Sequence, residues 1–295
     1  MQQRHYTKPA AELDRSDCET LIRLALSEDS PGGDITSESI FQETDYGRVR
    51  VIAGEEGILC GLPVVEFLLE IYLEITGKTV TLRPLFRDGL LFSKGDCLFE
   101  MEGTLISLLL LERIVLNFIQ YLSGISTVTA DAVKSAPENI VVIDTRKTLP
   151  GYRKLAKYAV FCGGGSNHRM NLSDMALIKD NHLAGCKNVS QAVNSVRKHK
   201  PYLPVEVEVE NLEQLKSALE CRPDVIMLDN MDLPLLKNAF SMIQKNDHPP
   251  FIEISGSMTP EKLAQLKEFG TVGVSMGYLT HTTRFLDISM EYAGK

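Results

Sequence analysis

The chain of 295 residues has no tryptophan and few aromatic side chains, 7 % in all, so its core has to be built from aliphatic residues. Its six cysteines, at 18, 60, 97, 162, 186 and 221, stand at least 24 positions apart. That spacing excludes a zinc knuckle and a Cys-x-x-Cys redox pair and leaves buried free thiols as the expectation. A long apolar run is also missing. The greasiest stretch, Leu105 to Leu111, stops at Glu112 and Arg113, well short of the roughly 18 apolar residues that a membrane span needs. The first twenty residues are polar and hold no signal-peptide core, so a cytoplasmic protein in a reducing compartment is expected. A basic surplus is absent too. The formal charge of −8 argues against general attraction to nucleic acid or to anionic membranes, and any anionic ligand has to be met locally. With only 34 Gly and Pro, and with 44 % hydrophobic and 24 % charged residues mixed along the chain, neither low complexity nor long disorder is indicated. One large domain or two moderate ones fit this length.

Charge is unevenly placed. Between Asp144 and Lys200 stand eleven Lys or Arg and three acids, a local balance of +8 that leaves −16 on the rest of the chain. Arg153, Lys154, Lys157, Arg197, Lys198 and Lys200 fall at helical spacing and read as solvated helix faces. Arg146, Lys147, Arg169 and Lys179 differ, because each follows an apolar strand-like run or a glycine-rich loop, where side chains point at ligands.

Residues 1–124 read as a mixed α/β unit. A helix is predicted over 17–28 with a Ser16/Glu19 capping box, followed by the turn SPGGD, the strand-like GRVRVIA and TVTLRPLF, and a helix from Pro63. The segment from Thr104 to Ser123 is helical in pattern and apolar on nearly every face, so it has to be covered all round. After Gly124 short β-branched runs (NIVVIDT, MALI, PVEVEVE, DVIMLD, FIEIS and TVGVS) alternate with helical stretches near 151–161, 188–199, 211–220, 232–245 and 260–269. Repeated βα units imply a parallel sheet. Polar groups follow nearly every strand: Arg146 and Lys147, Lys179, Asp229, Ser255 with Gly256, and Ser275 with Gly277. Their convergence at one end favours a closed barrel rim over the single crevice of an open sheet, although six strands are fewer than the usual eight. In VEVEVE the three valines share one face and Glu206, Glu208 and Glu210 the other, so inside a barrel at least one Glu should meet a cation, a hydroxyl or a metal.

The stretch from Asp144 to Leu183 carries most of the chemistry. Gly163 to Gly165 just before Ser166, Asn167, His168 and Arg169 make a loop able to hold an anion, though the triplet alone is weak evidence and matches neither phosphate-loop pattern. Several cations around a small cavity repel one another by about 1 kcal/mol per pair in water and several times more in a less polar site, so the site invites a polyanion. Glu208 and Asp229 suit Mg²⁺ or sugar hydroxyls. Ser255 with Gly256, and Gly277 with His281, suit a phosphate. The implied ligands are a phosphorylated sugar and a small acid. Three readings stand beside one another: an enzyme acting on the phosphorylated sugar and the acid, a Schiff-base lyase using Lys179, and an anion-binding protein without catalysis.

Nearly the whole chain resembles the quinolinate phosphoribosyltransferase family, through EDSPGGDITS, GILCG, ERIVLNFIQYLSGIST, DTRKTLPGYRKLAKYAVFCGGGSNHR, LIKDNH, VEVEVENLEQ, DVIMLDN, EISGS and LTHTTRFLDIS. The resemblance implies an α/β fold: an N-terminal α/β sandwich domain over 1–124, with 282–295 packing back on it, and an incomplete TIM-like α/β barrel over 125–281. It implies transfer of phosphoribose from phosphoribosyl pyrophosphate to quinolinate with loss of CO₂, a step of de novo NAD biosynthesis, with Mg²⁺ as cofactor; a relative acting on another small acid is the alternative. It also implies a homodimer in which Arg113 reaches the partner's site, with further assembly left open. By the same resemblance Arg113, Thr145, Arg146, Lys147, His168, Arg169 and Lys179 meet quinolinate, and Glu208 and Asp229 meet the ribose hydroxyls and Mg²⁺. The resemblance also implies Lys147, Glu208 and Asp229 as the catalytic residues, and Ser255, Gly256, Ser257, Met276, Gly277 and His281 as holders of the 5′ phosphate. Residues 256–258 and 276–278 are bulkier than the small residues expected there.

Overall fold

In the computed structural model, which describes residues 8–186, 188–256 and 258–294, the chain divides into two units. The first unit contains residues 10–130, 148–164 and 278 onward. It begins with α1 (Arg15–Asp29), whose N-cap is Asp14: the Asp17 carboxylate accepts the Asp14 N–H at 2.9 Å. The box therefore lies two residues before the predicted Ser16/Glu19 pair, because Asp14 is the residue that keeps extended backbone. Asp34, at the end of the SPGGD turn, caps α2 (Ile35–Ile40) by accepting from the N–H groups of Thr36 and Ser37. Strands β1 (Tyr46–Ala53) and β2 (Gly57–Ile58) follow, and α3 (Leu62–Thr76) starts with Pro63 in its first turn. Its open N–H groups at Gly61 and Leu62 are met by the Asp88 carboxylate, which also accepts from the Tyr158 hydroxyl at 2.9 Å. Burial pushes the Asp88 carboxyl above its ordinary value.

Strands β3 (Thr81–Pro84), β4 (Leu91–Phe92) and β5 (Cys97–Thr104) complete the first unit's sheets. The main sheet is antiparallel, in the order of the C-terminal strand Ile288–Gly294, β1, β5 and β3, and β2 pairs with β4. Val49, Val51 and Ala53 of β1 are buried. Arg48 and Arg50 alternate with Val49 and Val51 and so lie on the other face, where they meet Glu100 with Arg83.

The greasy segment forms α4 (Leu105–Ser135), which runs 12 residues beyond the predicted end at Ser123. Gly124 does not break it. A side chain there would meet the Arg284 carbonyl oxygen at 2.1 Å, so glycine serves a close approach of the C-terminal segment rather than a turn. Among the described helices α4 alone is long and apolar enough to cross a membrane, yet 67 % of its most apolar window is buried among the protein's own side chains. This is the cover that the apolar faces require. Helix α5 (Arg153–Cys162) belongs to the same unit, and Lys157 on it is fully buried. Helical spacing puts Lys157 on a solvated face; packing of α5 decides otherwise.

The second unit, mainly residues 131–147 and 165–277, is the incomplete TIM-like barrel. Its strands are β6 (Ile140–Ile143), β7 (Ala176–Ile178), β8 (Val205–Val209), β9 (Val225–Asp229), β10 (Phe251–Ser255) and β11 (Val272–Ser275), all parallel and ordered β6-β11-β10-β9-β8-β7. All six apolar runs of the sequence become strands. Among the described strands β6 and β7 do not pair, and Ser166 runs parallel beside Ile143 at the β6 edge. The intervening helices are α6 (Asp180–Ala184), α7 (Val189–His199), α8 (Leu212–Glu220), α9 (Leu233–Gln244) and α10 (Pro260–Leu263), the last extended by one 3₁₀ turn. Of these, α6 is not predicted from the sequence, since five residues carry too little periodicity. After β11 come α11 (Tyr278–His281) and β12 (Ile288–Gly294), the strand beside β1. All five residues of β8 are buried on both faces, as a barrel strand between helices and interior requires.

Candidate active site

A cavity of about 280 Å³ opens at the C-terminal ends of the barrel strands. Five of the six strands, all but β8, contribute to it directly or through the loop that follows, because parallel strands all end on the same side. Thr145, Arg146 and Lys147 follow β6; His168 and Arg169 follow the Ser166 bridge; Leu177 and Lys179 come from β7; and Met227, Glu253, Ser255 and Ser275 come from β9, β10 and β11. The four cations singled out by position, Arg146, Lys147, Arg169 and Lys179, thus line one cavity, and Glu253 is the acid that joins them among the described residues.

The loop that carries His168 and Arg169 is strapped to the end of β6. Asp144, fully buried, accepts the Asn167 side-chain N–H at 2.7 Å and the His168 main-chain N–H at 2.8 Å. Arg169 is almost buried, and its Nη1 donates to the Met175 carbonyl at 2.9 Å. Burial, and next the adjacent Arg146 charge, lower the Arg169 pKa from its ordinary value. Both causes disfavour the cation, and a bound anion relieves the second directly.

The sequence places His168 among the anion-holding groups. His168 lines the cavity, and its ring also reaches the buried acids: Nε2 lies 3.1 Å from Glu206 Oε2 and 3.5 Å from Glu253 Oε1, and Nδ1 accepts the Arg169 N–H at 2.8 Å. Glu206 and Glu253 are fully buried. Two acids on the carboxylate face of β8 have a basic group close by: Glu206 approaches His168, and Glu208 forms an ion pair with Lys179. Glu210 is exposed. Asp229, at the end of β9, accepts from Asn230 Nδ2 at 2.7 Å.

The remaining expected contacts divide by place. Gly256 follows β10 with φ +100°, packed against Asn230. Met276 is buried and donates its N–H to the Ile143 carbonyl, and Gly277 follows it. Among the described residues, these three, Glu208 and Asp229 stand outside the lining of the cavity itself. Ser257 lies outside the described residues. Arg113 is exposed on α4, and His281 is exposed at the end of α11, both in the first unit. Sequence reasoning missed Asp144 and Glu253. The signal was present for both, an acid at the end of IVVI and another inside FIEIS, where an isolated charge in a β-branched run marks an inward position.

Two family models match the chain: "Quinolinate phosphoribosyl transferase, N-terminal domain" over residues 34–123 and "Quinolinate phosphoribosyl transferase, C-terminal domain" over 125–291. A probable nicotinate-nucleotide pyrophosphorylase (carboxylating) of Bacillus subtilis is 39 % identical over 273 residues, covering 92 % of each chain. The nicotinate-nucleotide pyrophosphorylase (carboxylating) of Mycobacterium leprae is 38 % identical over 287 residues, 94 % of this chain and 99 % of that one. The crystal structure of NadC from Streptococcus pyogenes superposes with a TM-score of 0.88 at 37 % identity, covering 95 % of this chain and 99 % of the other.

Proposed function

The chain belongs to the quinolinate phosphoribosyltransferase family, and from that premise we propose that it transfers phosphoribose from phosphoribosyl pyrophosphate to quinolinate, giving nicotinate mononucleotide, CO₂ and pyrophosphate. The observation that carries this reading is the convergence of Arg146, Lys147, Arg169 and Lys179 on one cavity of about 280 Å³. Two carboxylates on adjacent ring carbons are the kind of dianion that four such cations hold. Unit charges 4 Å apart at an effective dielectric of about 20 interact by about 4 kcal/mol, so each carboxylate that enters exchanges cation repulsion for attraction.

The chemistry needs no side-chain nucleophile. The ring nitrogen takes C1 of the sugar as the pyrophosphate leaves with the bonding pair, and the nitrogen becomes cationic. The bond to the 2-carboxylate then breaks, CO₂ departs, and the pair left on C2 is stabilised by the adjacent cation until C2 takes a proton. In this reading the four cations orient the ring and fix its carboxylates, and Lys147, the most exposed of them, also faces the departing pyrophosphate. Preorganised charge of this kind is worth several kcal/mol in a site shielded from water.

Glu208 and Asp229 offer hard oxygen donors at the ends of adjacent strands, and one Asp229 oxygen is already oriented by Asn230. Such a pair fits Mg²⁺, which takes one or two carboxylates and fills its shell with phosphate oxygens and water. Bound there, Mg²⁺ supplies countercharge for the pyrophosphate. Ser255 and Gly256 with the neighbouring Ser257, and Met276, Gly277 and His281, are assigned to the 5′ phosphate. A homodimer in which Arg113 completes the partner's site, working in the cytoplasm with its cysteines free, accords with the exposed Arg113 side chain and with free thiols at all six positions.

The lyase reading fares worse, because an ammonium held by the Glu208 carboxylate has no lone pair with which to attack a carbonyl. Borohydride trapping at Lys179 tests it. Mass spectrometry for nicotinate mononucleotide after incubation with quinolinate, phosphoribosyl pyrophosphate and Mg²⁺ tests the main reading, and absence of that product overturns it.

A further inference from the structure

We propose that Glu206 and Glu253 are positioning residues: they hold the His168 imidazole as its neutral Nε2–H tautomer, and its Nδ1 in turn anchors the main chain of Arg169 beside the pocket. The inference rests on the pocket being the quinolinate site and assigns a task to two buried acids that the transfer itself does not use.

One donor in this cluster has a single role. A main-chain N–H donates and cannot accept, and that of Arg169 lies 2.8 Å from His168 Nδ1. Nδ1 therefore presents a lone pair, and the ring proton sits on Nε2. Nε2 lies between two carboxylates, 3.1 Å from Glu206 Oε2 and 3.5 Å from Glu253 Oε1, near enough for their charge to favour an N–H there although neither contact has hydrogen-bond geometry. Those acids arrive from β8 and β10, on either side of β9, and both are fully buried. A ring with Nε2 as donor and Nδ1 as acceptor is what this pair of surroundings selects.

The same three groups lie close enough together, within 4.8 Å, to suggest a cation site. The tautomer argues against it. An Nε2 that carries hydrogen has no lone pair to give a metal, and moving the hydrogen to Nδ1 would set two donors, Nδ1–H and the Arg169 N–H, against each other.

The consequence reaches the pocket through Arg169. Its main chain is held by His168 and its guanidinium by the Met175 carbonyl, while the preceding His168 N–H is held by Asp144. Arg169 is fixed at both ends, so its charge meets an incoming carboxylate without first being ordered. Groups that orient a binding residue in this way act on affinity for the ligand that residue touches.

Two measurements test the proposal. Long-range ¹H–¹⁵N correlation on the full-length wild-type protein should give His168 the pattern of an unprotonated Nδ1 and a protonated Nε2. Glu206→Gln, which lies outside the cavity lining, should raise KM for quinolinate by about 10-fold, with kcat and KM for phosphoribosyl pyrophosphate unchanged; Glu253→Gln should raise KM for quinolinate as well. A proton on Nδ1, Zn²⁺ titrated alone shifting the Nε2 resonance as a ligand, or an unchanged KM for quinolinate in folded variants overturns it. The tautomer is read on the wild type without turnover, so it decides the proposal even where a variant fails to fold. A wild type that makes no nicotinate mononucleotide from quinolinate would instead overturn the functional reading, and the two failures are separable.

Discussion

The ammonium of Lys179 and the carboxylate of Glu208 form an ion pair that joins the ends of β7 and β8 beside the pocket. Glu208 is 9 % exposed and Lys179 42 %, so the pair has one dry and one wet member. The partners have different tasks in the proposed reaction, Lys179 with a substrate carboxylate and Glu208 with ribose and Mg²⁺. Their pairing keeps each charge compensated until ligands arrive.

Lys179→Ala and Arg169→Ala should each lower kcat/KM for quinolinate by an amount equivalent to about 2–5 kcal/mol, because a substrate carboxylate loses its partner. Lys179→Ala should also cost fold stability, about 1–3 kcal/mol, since it leaves the nearly buried Glu208 carboxylate without its cation. Steady-state kinetics set beside urea unfolding separate the two effects. Near wild-type efficiency in both variants would remove these cations from the site.

Arg113→Ala should fold as the wild type does, because the side chain is exposed on α4. If Arg113 serves the partner's site, the variant should lose activity alone and regain part of it when mixed and re-equilibrated with Arg169→Ala. Random pairing of the two variants then creates some sites with every residue intact. Gel filtration showing a fully active monomer, or mixing that restores nothing, counts against that role.

Gly256→Ala should destabilise the protein by about 1–3 kcal/mol, since φ is +100° and the added carbon would stand 2.2 Å from Asn230 Oδ1 and 2.8 Å from Asn230 N. Adding Asn230→Ala removes the side-chain clash and leaves the main-chain clash and the strain, so only part of the loss should be recovered. Thermal unfolding of the single and double variants measures both. Full recovery would show that the main chain there tolerates a side chain.

Glu55 accepts from both Arg284 Nη groups, at 2.6 and 2.5 Å, and from the Asp287 N–H at 2.8 Å, and the Arg284 guanidinium lowers its pKa to about 2. A carboxyl depressed on folding contributes stability that is complete above its ordinary value near 4.5 and is lost as pH falls toward 2. Arg284 is 68 % exposed, so solvent screening limits the contribution to about 1 kcal/mol. Glu55→Gln should thus be less stable than wild type at neutral pH and equal to it near the acid end. Denaturant unfolding across that range checks the sign, and a difference independent of pH would assign the effect elsewhere.

Much of the fold is legible from local pattern. Most of the barrel strands appear in the sequence as short apolar runs because a strand covered on both faces has little polar alternation; β8 alternates Val with Glu and is still buried throughout, so its acids stand out. Local pattern fails where a residue's neighbours come from far along the chain. Lys157 has the spacing of a surface residue and is fully buried, and Gly124 has the look of a break inside an unbroken 31-residue helix. A glycine lowers helix propensity by about 1 kcal/mol, which packing on all sides of α4 outweighs.

By itself the sequence determined which groups are available and where along each strand they fall, since alternation and strand ends are properties of neighbouring residues. The four cations of the pocket follow from that alone once parallel strands are granted. Only the tertiary structure decided who meets whom. Lys179 and Glu208 are separated by 29 residues and Asp144 and His168 by 24, and which of several buried acids accepts a given proton depends on the stagger of adjacent strands. Charge in a dry interior must be compensated within a few ångströms, and the chain reaches that distance only after the sheet has assembled.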